Sequence, residues 1–561
     1  MPAKRLAACA VMGAALTAFI ALSVPAAAQV VTRPIASDPV TVAQGQLAGN
    51  TMASGVRTWF GIPFAAPPVG DLRWREPRAA ASWPGVRQAV QFPPMCPQGM
   101  RGPGQNHYFG DQATAEDCLY VNVWAPPEAE VTGQKLPVVV WIYGGAFTGG
   151  SSAMMWTRGE TLAAKGVIYV TLNYRLGALG FMAHPELKAE SPHGSSGNYG
   201  FLDQVAALQW VKANIGAFGG DADNVTIVGQ SAGSMSVAAL YASPLTRGLF
   251  QRAIGMSGSV FTEGAGSMAS AQAGEAAGLA LQEVLGATSL ADLRRLPADR
   301  VIGVRGVRTG PVIDGWFMPK APSEILAAGE QNDAGLFIGF TRDEAFSPLG
   351  GAASAEAYET LVRRTYPADA EALLTAYPAD ANWAQNARTA ARDVSLGVST
   401  RVWASAQTGA GRRPAYAYMF SRVHPYAPGV SFIDHDPATA GAYHAGDLVY
   451  WFGNLDAFNA FRTTRNYTPT DRALTDAMSS MIVAFARTGD PSLPGVSVPR
   501  YDPANERMVE LGDQVRIIDW PGRSHAALLG RLRAAPPAPP TPAAAPPARP
   551  ADLGANAGPR F

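Results

Sequence analysis

The 561-residue chain carries 44 lysine and arginine residues against 44 aspartate and glutamate residues, so its formal charge is zero, and 47% of its residues are hydrophobic. A protein that binds nucleic acid through its phosphates needs a strong basic excess, so this balance argues against that class. Three cysteines are too few for a disulfide-rich scaffold and exclude a structural zinc site of the four-cysteine kind.

The N-terminal segment has the three parts of a secretory signal peptide. Lys4 and Arg5 are basic, residues 6–24 are almost wholly apolar, and residues 26–28 are alanines that suit a cleavage site. The pattern predicts a signal peptide at residues 1–28 and export to the periplasm or the medium, with no membrane attachment after cleavage. An uncleaved anchor is the alternative, because the apolar run approaches the length of a transmembrane helix.

Loss of this signal peptide removes Cys9 and leaves Cys96 and Cys118 as the cysteines of the mature chain. In an exported protein an even pair is most simply one disulfide. It would close a loop of about twenty residues, which in the chain-entropy model contributes about 3 kcal/mol to stability. Two buried free thiols are the alternative.

Short runs rich in β-branched and aromatic residues alternate with helical stretches between the two ends of the chain. Runs that are apolar on both faces suit the central strands of a parallel sheet covered by helices. Alternation of this kind over several hundred residues predicts an α/β layer fold. The predicted strands are residues 137–143, 167–172, 225–228, 252–256, 336–340 and 415–420, and the predicted helices include residues 200–213, 232–241 and 267–285.

A glycine-rich segment, YGGAF at residues 143–147, lies at the end of the first of these predicted strands. Consecutive glycines let backbone N–H groups point at a substrate carbonyl oxygen, as in an oxyanion hole. An ordinary glycine-rich turn is the alternative interpretation of this segment alone.

The pentapeptide GQSAG at residues 229–233 follows a predicted strand and leads into a predicted helix. G-x-S-x-G in this position exposes a nucleophilic serine on a sharp turn, and its glycines admit a close backbone approach. We therefore predict Ser231 as a nucleophile, with the N–H of Ala232 at the helix N-terminus as an oxyanion donor. The bare pattern arises by chance in long chains, so its context carries the prediction.

Together these motifs resemble the type-B carboxylesterase family of the α/β-hydrolase fold, which includes cholinesterases and many bacterial esterases. The resemblance extends over residues 39–512. It implies a large, mostly parallel central sheet flanked by helices, in one catalytic domain at residues 29–533. The matching segments are FGIPFA (60–65), PPVG (67–70), EDCLYVNVW (116–124), NYR (173–175), GNYG (197–200), PVIDG (311–315) and TGDP (488–491).

The resemblance implies the other two members of a catalytic triad. The family's acid is a glutamate in a short segment after a strand, which is Glu344 here, with the adjacent Asp343 as the alternative. The family's base matches His444 in the segment HAGDLVYWFG. The order Ser231, Glu344, His444 is the order of nucleophile, acid and histidine expected of this fold.

Elimination among the histidines favours the same base. The base follows the acid in this fold, which leaves four histidines as candidates. His435 lies between two aspartates in a polar loop, His424 closes a strand before a proline, and His525 lies near the C-terminal tail. His444 is therefore the preferred candidate.

The resemblance also implies structural features around the triad. The family places a disulfide where Cys96 and Cys118 lie, which agrees with the pairing expected from export. Gly145, Ala146 and Ala232 match the family's oxyanion donors. The same backbone N–H groups would therefore serve this chain.

Three further positions are expected to support the triad. Ser257 matches a buried serine near the acid. Gln230 replaces a glutamate that is common before the nucleophile and so removes a negative charge. Asp447 stands where relatives usually carry glutamate, and its shorter side chain leaves its supporting contact open. The segment between the paired cysteines has no tryptophan to stack a quaternary ammonium, so a choline ester is not expected.

The predicted function is a serine carboxylesterase that hydrolyses neutral or anionic small-molecule esters through an acyl-enzyme on Ser231. This mechanism needs no cofactor and no metal, and no nucleic-acid partner is expected. An acyltransferase or amidase that uses the same acyl-enzyme is the alternative. A non-catalytic adhesion protein of the same family is disfavoured because the full triad is present.

Composition changes at residues 534–561, where proline and alanine dominate and hydrophobic periodicity ends. Such a composition is typical of a disordered or polyproline-like tail. A passive tail is the simpler interpretation, and a partner-binding segment is the alternative.

Overall fold

The computed structural model describes most of the chain between the two predicted terminal segments. The signal peptide at residues 1–28 and the tail at residues 534–561 lie outside the described residues. The part of the chain that the structure describes contains no helix that combines the length and the hydropathy of a membrane span. The structure describes residues 32–99, 112–127, 133–261, 267–344, 346–411, 413–432 and 436–533.

The described residues form 17 strands, numbered in chain order. They are β1 (Arg33–Pro34), β2 (Val40–Val42), β3 (Gly45–Ala48), β4 (Asn50–Thr51), β5 (Arg57–Pro63), β6 (Val86–Gln88), β7 (Tyr120–Ala125), β8 (Leu136–Ile142), β9 (Ile168–Leu172), β10 (Gly220–Gln230), β11 (Arg252–Met256), β12 (Ala269–Ser270), β13 (Val312–Ile313), β14 (Gly335–Thr341), β15 (Ala415–Phe420), β16 (Arg507–Leu511) and β17 (Val515–Asp519). Within the same residues, one sheet contains 12 strands, and two smaller sheets contain the rest.

The centre of the 12-stranded sheet is parallel. Its strand order is β1-β4-β5-β7-β9-β8-β10-β11-β14-β15-β16-β17. Neighbours from β9 to β16 are parallel, whereas both edges of the sheet are antiparallel. All six predicted strands lie in the parallel part, which confirms the predicted mostly parallel central sheet.

Burial on both faces explains why these strands are continuous apolar runs. In β8, Val138, Val139 and Val140 are all 0% exposed, and β14 is buried along its whole length. A strand with one face in water would alternate apolar and polar residues instead. The helices Tyr199–Asn214 and Ala232–Ala242 pack against these strands and bury most of their own residues.

The helices match the predicted positions closely, with one correction. The stretch predicted as a helix from residue 267 begins at Ala271, because the preceding two residues pair in strand β12 and the Ser270 hydroxyl accepts from the Ala273 N–H at 3.2 Å. The α-helices are α1 (Glu160–Ala164), α2 (Gly177–Phe181), α3 (Pro185–Glu190), α4 (Tyr199–Asn214), α5 (Ala232–Ala242), α6 (Ala271–Val284), α7 (Leu290–Arg295), α8 (Ala298–Ile302), α9 (Pro322–Ala327), α10 (Ala355–Thr365), α11 (Ala370–Ala376), α12 (Trp383–Arg392), α13 (Val398–Ala410), α14 (Leu448–Trp451), α15 (Pro469–Thr488) and α16 (Ala526–Arg533).

The predicted disulfide is present. Cys96 and Cys118 are bonded, they are 22 residues apart in the sequence, and both are 0% exposed. Cys118 lies just before strand β7, and near Cys96 the Pro94 carbonyl accepts from the Asn173 side chain, just after strand β9, at 3.0 Å. The disulfide therefore links two parts of the chain on the side of the sheet where the central parallel strands end, and the predicted site residues follow these strand ends.

Candidate active site

Ser231 occupies a strained turn between a buried strand and a helix. Strand β10 ends at Gln230, helix α5 begins at Ala232, and Ser231 between them has φ +57° and ψ −125°. Such a conformation costs about 1–3 kcal/mol, so surrounding contacts must impose it. The Ser231 N–H donates to the Met256 carbonyl at 2.8 Å, which anchors the turn to strand β11.

The glycines on either side of Ser231 have no room for a side chain. A Cβ atom on Gly229 would overlap the carbonyl of Gly233, and one on Gly233 would overlap the carbonyl of Ile142 in β8. Backbone atoms cannot turn aside as the end of a flexible side chain can. The close backbone approach expected from the pentapeptide is therefore present on both sides of the turn.

We expect Gly229→Ala and Gly233→Ala each to lower the free energy of unfolding by about 2–3 kcal/mol, because the added methyl group forces the backbone apart. Urea unfolding followed by circular dichroism measures the loss. Gly216→Ala is the matched control, since no atom lies within 4 Å of a Cβ atom built there. Equal stability of all three variants would contradict the prediction.

The carboxylate of Glu344 holds the imidazole of His444. His444 Nδ1 donates to Glu344 Oε2 at 2.8 Å, and the Thr341 N–H donates to Glu344 Oε1 at 3.1 Å. Glu344 is 0% exposed, whereas the His444 side chain is 26% exposed. Burial raises the pKa of Glu344, but the charge of His444 and the hydrogen bonds to the carboxylate outweigh burial and hold this pKa below its ordinary value.

The amide of Gln230 contacts the other ring nitrogen of His444. Gln230 Nε2 lies 3.0 Å from His444 Nε2. Because the NH₂ group of an amide can only donate, His444 Nε2 is the acceptor of this hydrogen bond. The sequence indicated a supporting role for Gln230 only through its missing charge. This contact joins residues 214 positions apart and has no local signal in the sequence.

The glycine loop, residues 144–150, lies directly against the nucleophile. A Cβ atom on Gly144 would lie 2.9 Å from Ser231 Cβ. The Gly145 carbonyl accepts from the Thr148 N–H at 3.0 Å, which closes a tight turn. The structure therefore brings the predicted glycine-rich segment and the predicted nucleophile together.

Left-handed backbone at two positions shapes this loop. Ala146 has φ +56° and Phe147 has φ +58°. The Phe147 ring packs with its centroid 5.0 Å from that of Phe181 and 5.5 Å from that of Phe201, which secures the turn. Backbone turns of this kind form concave sites that bind anions through N–H groups. Ala232 adds the N-terminus of α5 beside Ser231.

Ser257 lies behind the acid, at the position predicted to support it. It follows strand β11 with φ +54° and is 1% exposed. Its N–H donates to the Gly339 carbonyl in β14 at 2.8 Å. Its buried hydroxyl has no hydrogen-bond partner within the described residues, and its proximity to Glu344 makes a small contribution to lowering the pKa of that carboxyl.

Asp447 is buried beside the pair formed by Glu344 and His444. Its Oδ2 atom accepts from Trp451 Nε1 at 3.1 Å, and its Oδ1 atom has no hydrogen-bond partner within the described residues. Burial, and then the negative charge of Glu344, raise the pKa of Asp447 to about 7. The Tyr418 hydroxyl of strand β15 lies 3.5 Å from the same Oδ2 atom. The supporting contacts of this shorter side chain, which the sequence did not define, are therefore with Trp451 of helix α14 and with Tyr418.

We expect Asp447→Asn to stabilise the protein above neutral pH and to have little effect at pH 4. A carboxyl whose folded pKa is raised favours folding below its unfolded pKa near 3.8, and this contribution is lost as pH rises to about 7. Asparagine carries no such penalty, so the variant's advantage grows to about 4 kcal/mol by pH 8. Urea unfolding of both proteins from pH 4 to pH 8 tests this, and a difference that does not change with pH would refute it.

Asp343, the alternative acid, serves a different purpose. Its Oδ2 atom accepts from Arg342 Nη2 at 2.9 Å and from the Ala442 N–H at 2.7 Å. Ala442 lies two residues before His444 in the chain. Asp343 therefore fixes the loop that carries the imidazole, while the neighbouring Glu344 contacts the ring itself.

Two of the other candidate histidines, His424 and His525, have structural partners. His424 is 2% exposed, its Nε2 atom donates to the Gly446 carbonyl at 2.8 Å, and burial lowers its pKa to about 3. It thus supports the loop after His444, a role that the sequence did not indicate. His525 packs against the ring of Tyr377, with centroids 5.4 Å apart. The remaining candidate, at position 435, lies outside the described residues.

An aromatic side chain beside the base was also missed by sequence reasoning. The Phe346 ring meets the His444 ring edge-on, with centroids 4.5 Å apart, and Phe346 is 40% exposed. Its only signal in the sequence is its position two residues after Glu344. It gives the exposed side of the imidazole an apolar neighbour.

Comparison with known proteins identifies the family of the chain. Residues 36–525 match the model of the carboxylesterase family. Fumonisin B1 esterase of Sphingopyxis macrogoltabida is 34% identical over 521 residues, 88% of this chain and 89% of that protein. Para-nitrobenzyl esterase of Bacillus subtilis is 35% identical over 502 residues, 86% of this chain and 96% of that protein. A solved structure of PNB esterase superposes with a TM-score of 0.74 at 33% identity, covering 88% of this chain and 99% of its own. The chain therefore belongs to the carboxylesterase family and is a carboxylic ester hydrolase of the α/β-hydrolase fold.

Proposed function

We propose that the protein hydrolyses esters through an acyl-enzyme on Ser231, with His444 as the base and Glu344 as the group that orients it. The observation that carries this proposal is the 2.8 Å contact between His444 Nδ1 and the buried carboxylate, beside the turn that presents the serine. A neutral imidazole that donates from Nδ1 keeps a lone pair on Nε2, which a general base needs.

Acylation begins when Ser231 Oγ attacks the ester carbonyl carbon and His444 Nε2 takes the hydroxyl proton. The amide of Gln230 occupies this nitrogen in the structure, so it gives way to the serine hydroxyl when substrate is bound. The imidazole then carries a positive charge, which the buried carboxylate of Glu344 stabilises without taking a proton.

The tetrahedral intermediate carries its negative charge on the former carbonyl oxygen. We assign the binding of this oxyanion to the N–H groups of Gly145, Ala146 and Ala232. When the intermediate collapses, His444 donates its proton to the departing alcohol oxygen. Water, activated by the same base, then attacks the acyl carbon, and the second collapse releases the acid and restores Ser231.

Neutral or anionic esters suit this site better than cationic ones. Gln230 brings no charge to the nucleophile, and the nearby carboxyl groups of Glu344 and Asp447 are both 0% exposed. Two relatives of the chain are a fumonisin B1 esterase and a para-nitrobenzyl esterase. The rates of hydrolysis of p-nitrophenyl esters with increasing acyl length will show which length of acyl group the pocket of this chain accepts.

Export of the protein is part of the proposal. It is supported by the predicted signal peptide and by the bonded pair Cys96 and Cys118, because disulfides persist mainly in oxidising compartments. Fractionation of producing cells, with the N-terminal sequence of the exported protein, tests both export and cleavage.

A fluorophosphonate probe tests the acyl-enzyme directly. The probe phosphonylates an activated serine, and we expect one adduct that maps to Ser231 by peptide mass spectrometry. The Ser231→Ala variant should remain unlabelled under the same conditions. Absence of an adduct on the wild-type protein, or equal labelling of the variant, would overturn the proposed nucleophile.

A further inference from the structure

The side chain of Gln98 joins the glycine loop (residues 144–150) to the segment that carries the disulfide. Gln98 Nε2 donates to the Gly150 carbonyl at 2.9 Å, and the Gly150 N–H donates to Gln98 Oε1 at 2.9 Å. One amide group therefore satisfies both backbone groups of one residue. This pairing fixes the position and the orientation of Gly150 together.

The amide of Gln98 is itself held from the disulfide. Gln98 Nε2 also donates to the Cys96 carbonyl at 3.1 Å. Cys96 is bonded to Cys118, and both are 0% exposed. The glycine loop is thus connected, through one side chain, to a cross-linked and buried part of the protein.

Both ends of the glycine loop pack closely against other residues, and the backbone between them is strained. A Cβ atom on Gly150 would overlap the ring of Tyr143, so Gly150 packs closely at the far end of the loop. Ala146 and Phe147 both have positive φ, a conformation that persists only where the surrounding structure imposes it. At the near end, Gly144 contacts the Ser231 side chain closely, so a shift of the loop changes its position relative to the nucleophile.

We propose that Gln98 is a positioning residue for the oxyanion donors, and that the disulfide holds Gln98 in place. This inference rests on the proposed acyl-enzyme mechanism. Donors that bind a developing negative charge act only when they are already placed, and a displacement near 1 Å can cost about 100-fold in rate. Gln98 has no contact with the reacting atoms and acts through Gly150.

Gln98→Met removes both hydrogen bonds to Gly150 and keeps the length of the side chain. We expect kcat for a p-nitrophenyl ester to fall about 10- to 100-fold with KM changed less than about threefold. Inhibition by an alkyl trifluoromethyl ketone, whose adduct carries the oxyanion, should weaken in parallel with kcat/KM. A merely structural role would lower the melting temperature without this parallel loss.

Gln91→Met is the matched control, because Gln91 lies exposed on the same segment. Gln98→Leu serves as a second apolar variant if Gln98→Met does not fold. In the Cys96→Ala/Cys118→Ala background, we expect kcat to be reduced already and Gln98→Met to add much less than in the wild type.

Two outcomes would each overturn part of the inference. Unchanged kcat in folded Gln98→Met and Gln98→Leu overturns the role of Gln98. If Gln98→Met lowers kcat as much in the Cys96→Ala/Cys118→Ala background as in the wild type, the proposed role of the disulfide in holding Gln98 is overturned. With either result the wild-type protein would still hydrolyse esters and be labelled at Ser231. If the proposed function itself is wrong, the wild-type protein shows neither.

Discussion

Ser231→Ala is expected to lower kcat for p-nitrophenyl esters by about 10⁵-fold or more, because no acyl-enzyme can form without the serine hydroxyl. The fold should be unaffected, since the Ser231 turn is held by its backbone N–H on the Met256 carbonyl and by the glycines around it. The melting temperature of the variant should therefore stay close to that of the wild type.

Initial rates at saturating ester, with the spontaneous hydrolysis subtracted, measure this loss. Ser405→Ala is the control, because Ser405 lies on helix α13 and its hydroxyl contacts Tyr501 at 3.0 Å. Its kcat should equal that of the wild type. A loss of less than about 100-fold in a folded Ser231→Ala variant would show that another residue is the nucleophile.

Glu344→Gln is expected to lower kcat by about 10⁴-fold through a change of tautomer at His444. The Thr341 N–H donates to Oε1 of the side chain, so the oxygen of a glutamine amide remains at that position and its NH₂ group faces the imidazole. The amide then donates to His444 Nδ1. The ring proton moves to Nε2, which can no longer accept the serine proton.

Asp343→Asn is the matched control for this change. It alters the adjacent carboxylate, which contacts Arg342 and the Ala442 N–H and not the imidazole. We expect a loss in kcat of less than about tenfold, together with lower stability of the loop before His444. The measurement is kcat of both variants and of the wild type over the pH range of activity. A larger loss in kcat for Asp343→Asn than for Glu344→Gln would reverse the assignment of the acid.

The strands and the order of the site residues were predictable because their signals are local. β8, β14 and the second half of β10, from residue 225, are buried on both faces and therefore appear as apolar runs. Ser231 is identified by five consecutive residues. Glu344 and His444 were predicted from short segments that resemble those of the family, in the chain order that the fold requires. The start of α6 was misplaced because a two-residue strand and the Ser270 cap stand before it.

The contacts between distant segments were not predictable from the sequence. The amide of Gln230 meets His444 across 214 positions, and Gln98 meets Gly150 across 52. Nothing in the residues around either glutamine indicates a partner, since both contacts exist only once the sheet and the loops are assembled. The raised pKa of Asp447 likewise results from burial beside Glu344.

The burial of the bonded cysteines affects how fast the bond can be broken. A thiolate must approach one sulfur of a disulfide in order to exchange with it. Cys96 and Cys118 are both 0% exposed, so a reductant in solution reaches them only after the surrounding segment opens. The rate of reduction then follows the opening of the protein and becomes independent of reductant concentration when the reductant is abundant. A folded molecule that moves from an oxidising to a reducing environment therefore keeps this bond for as long as that segment stays closed.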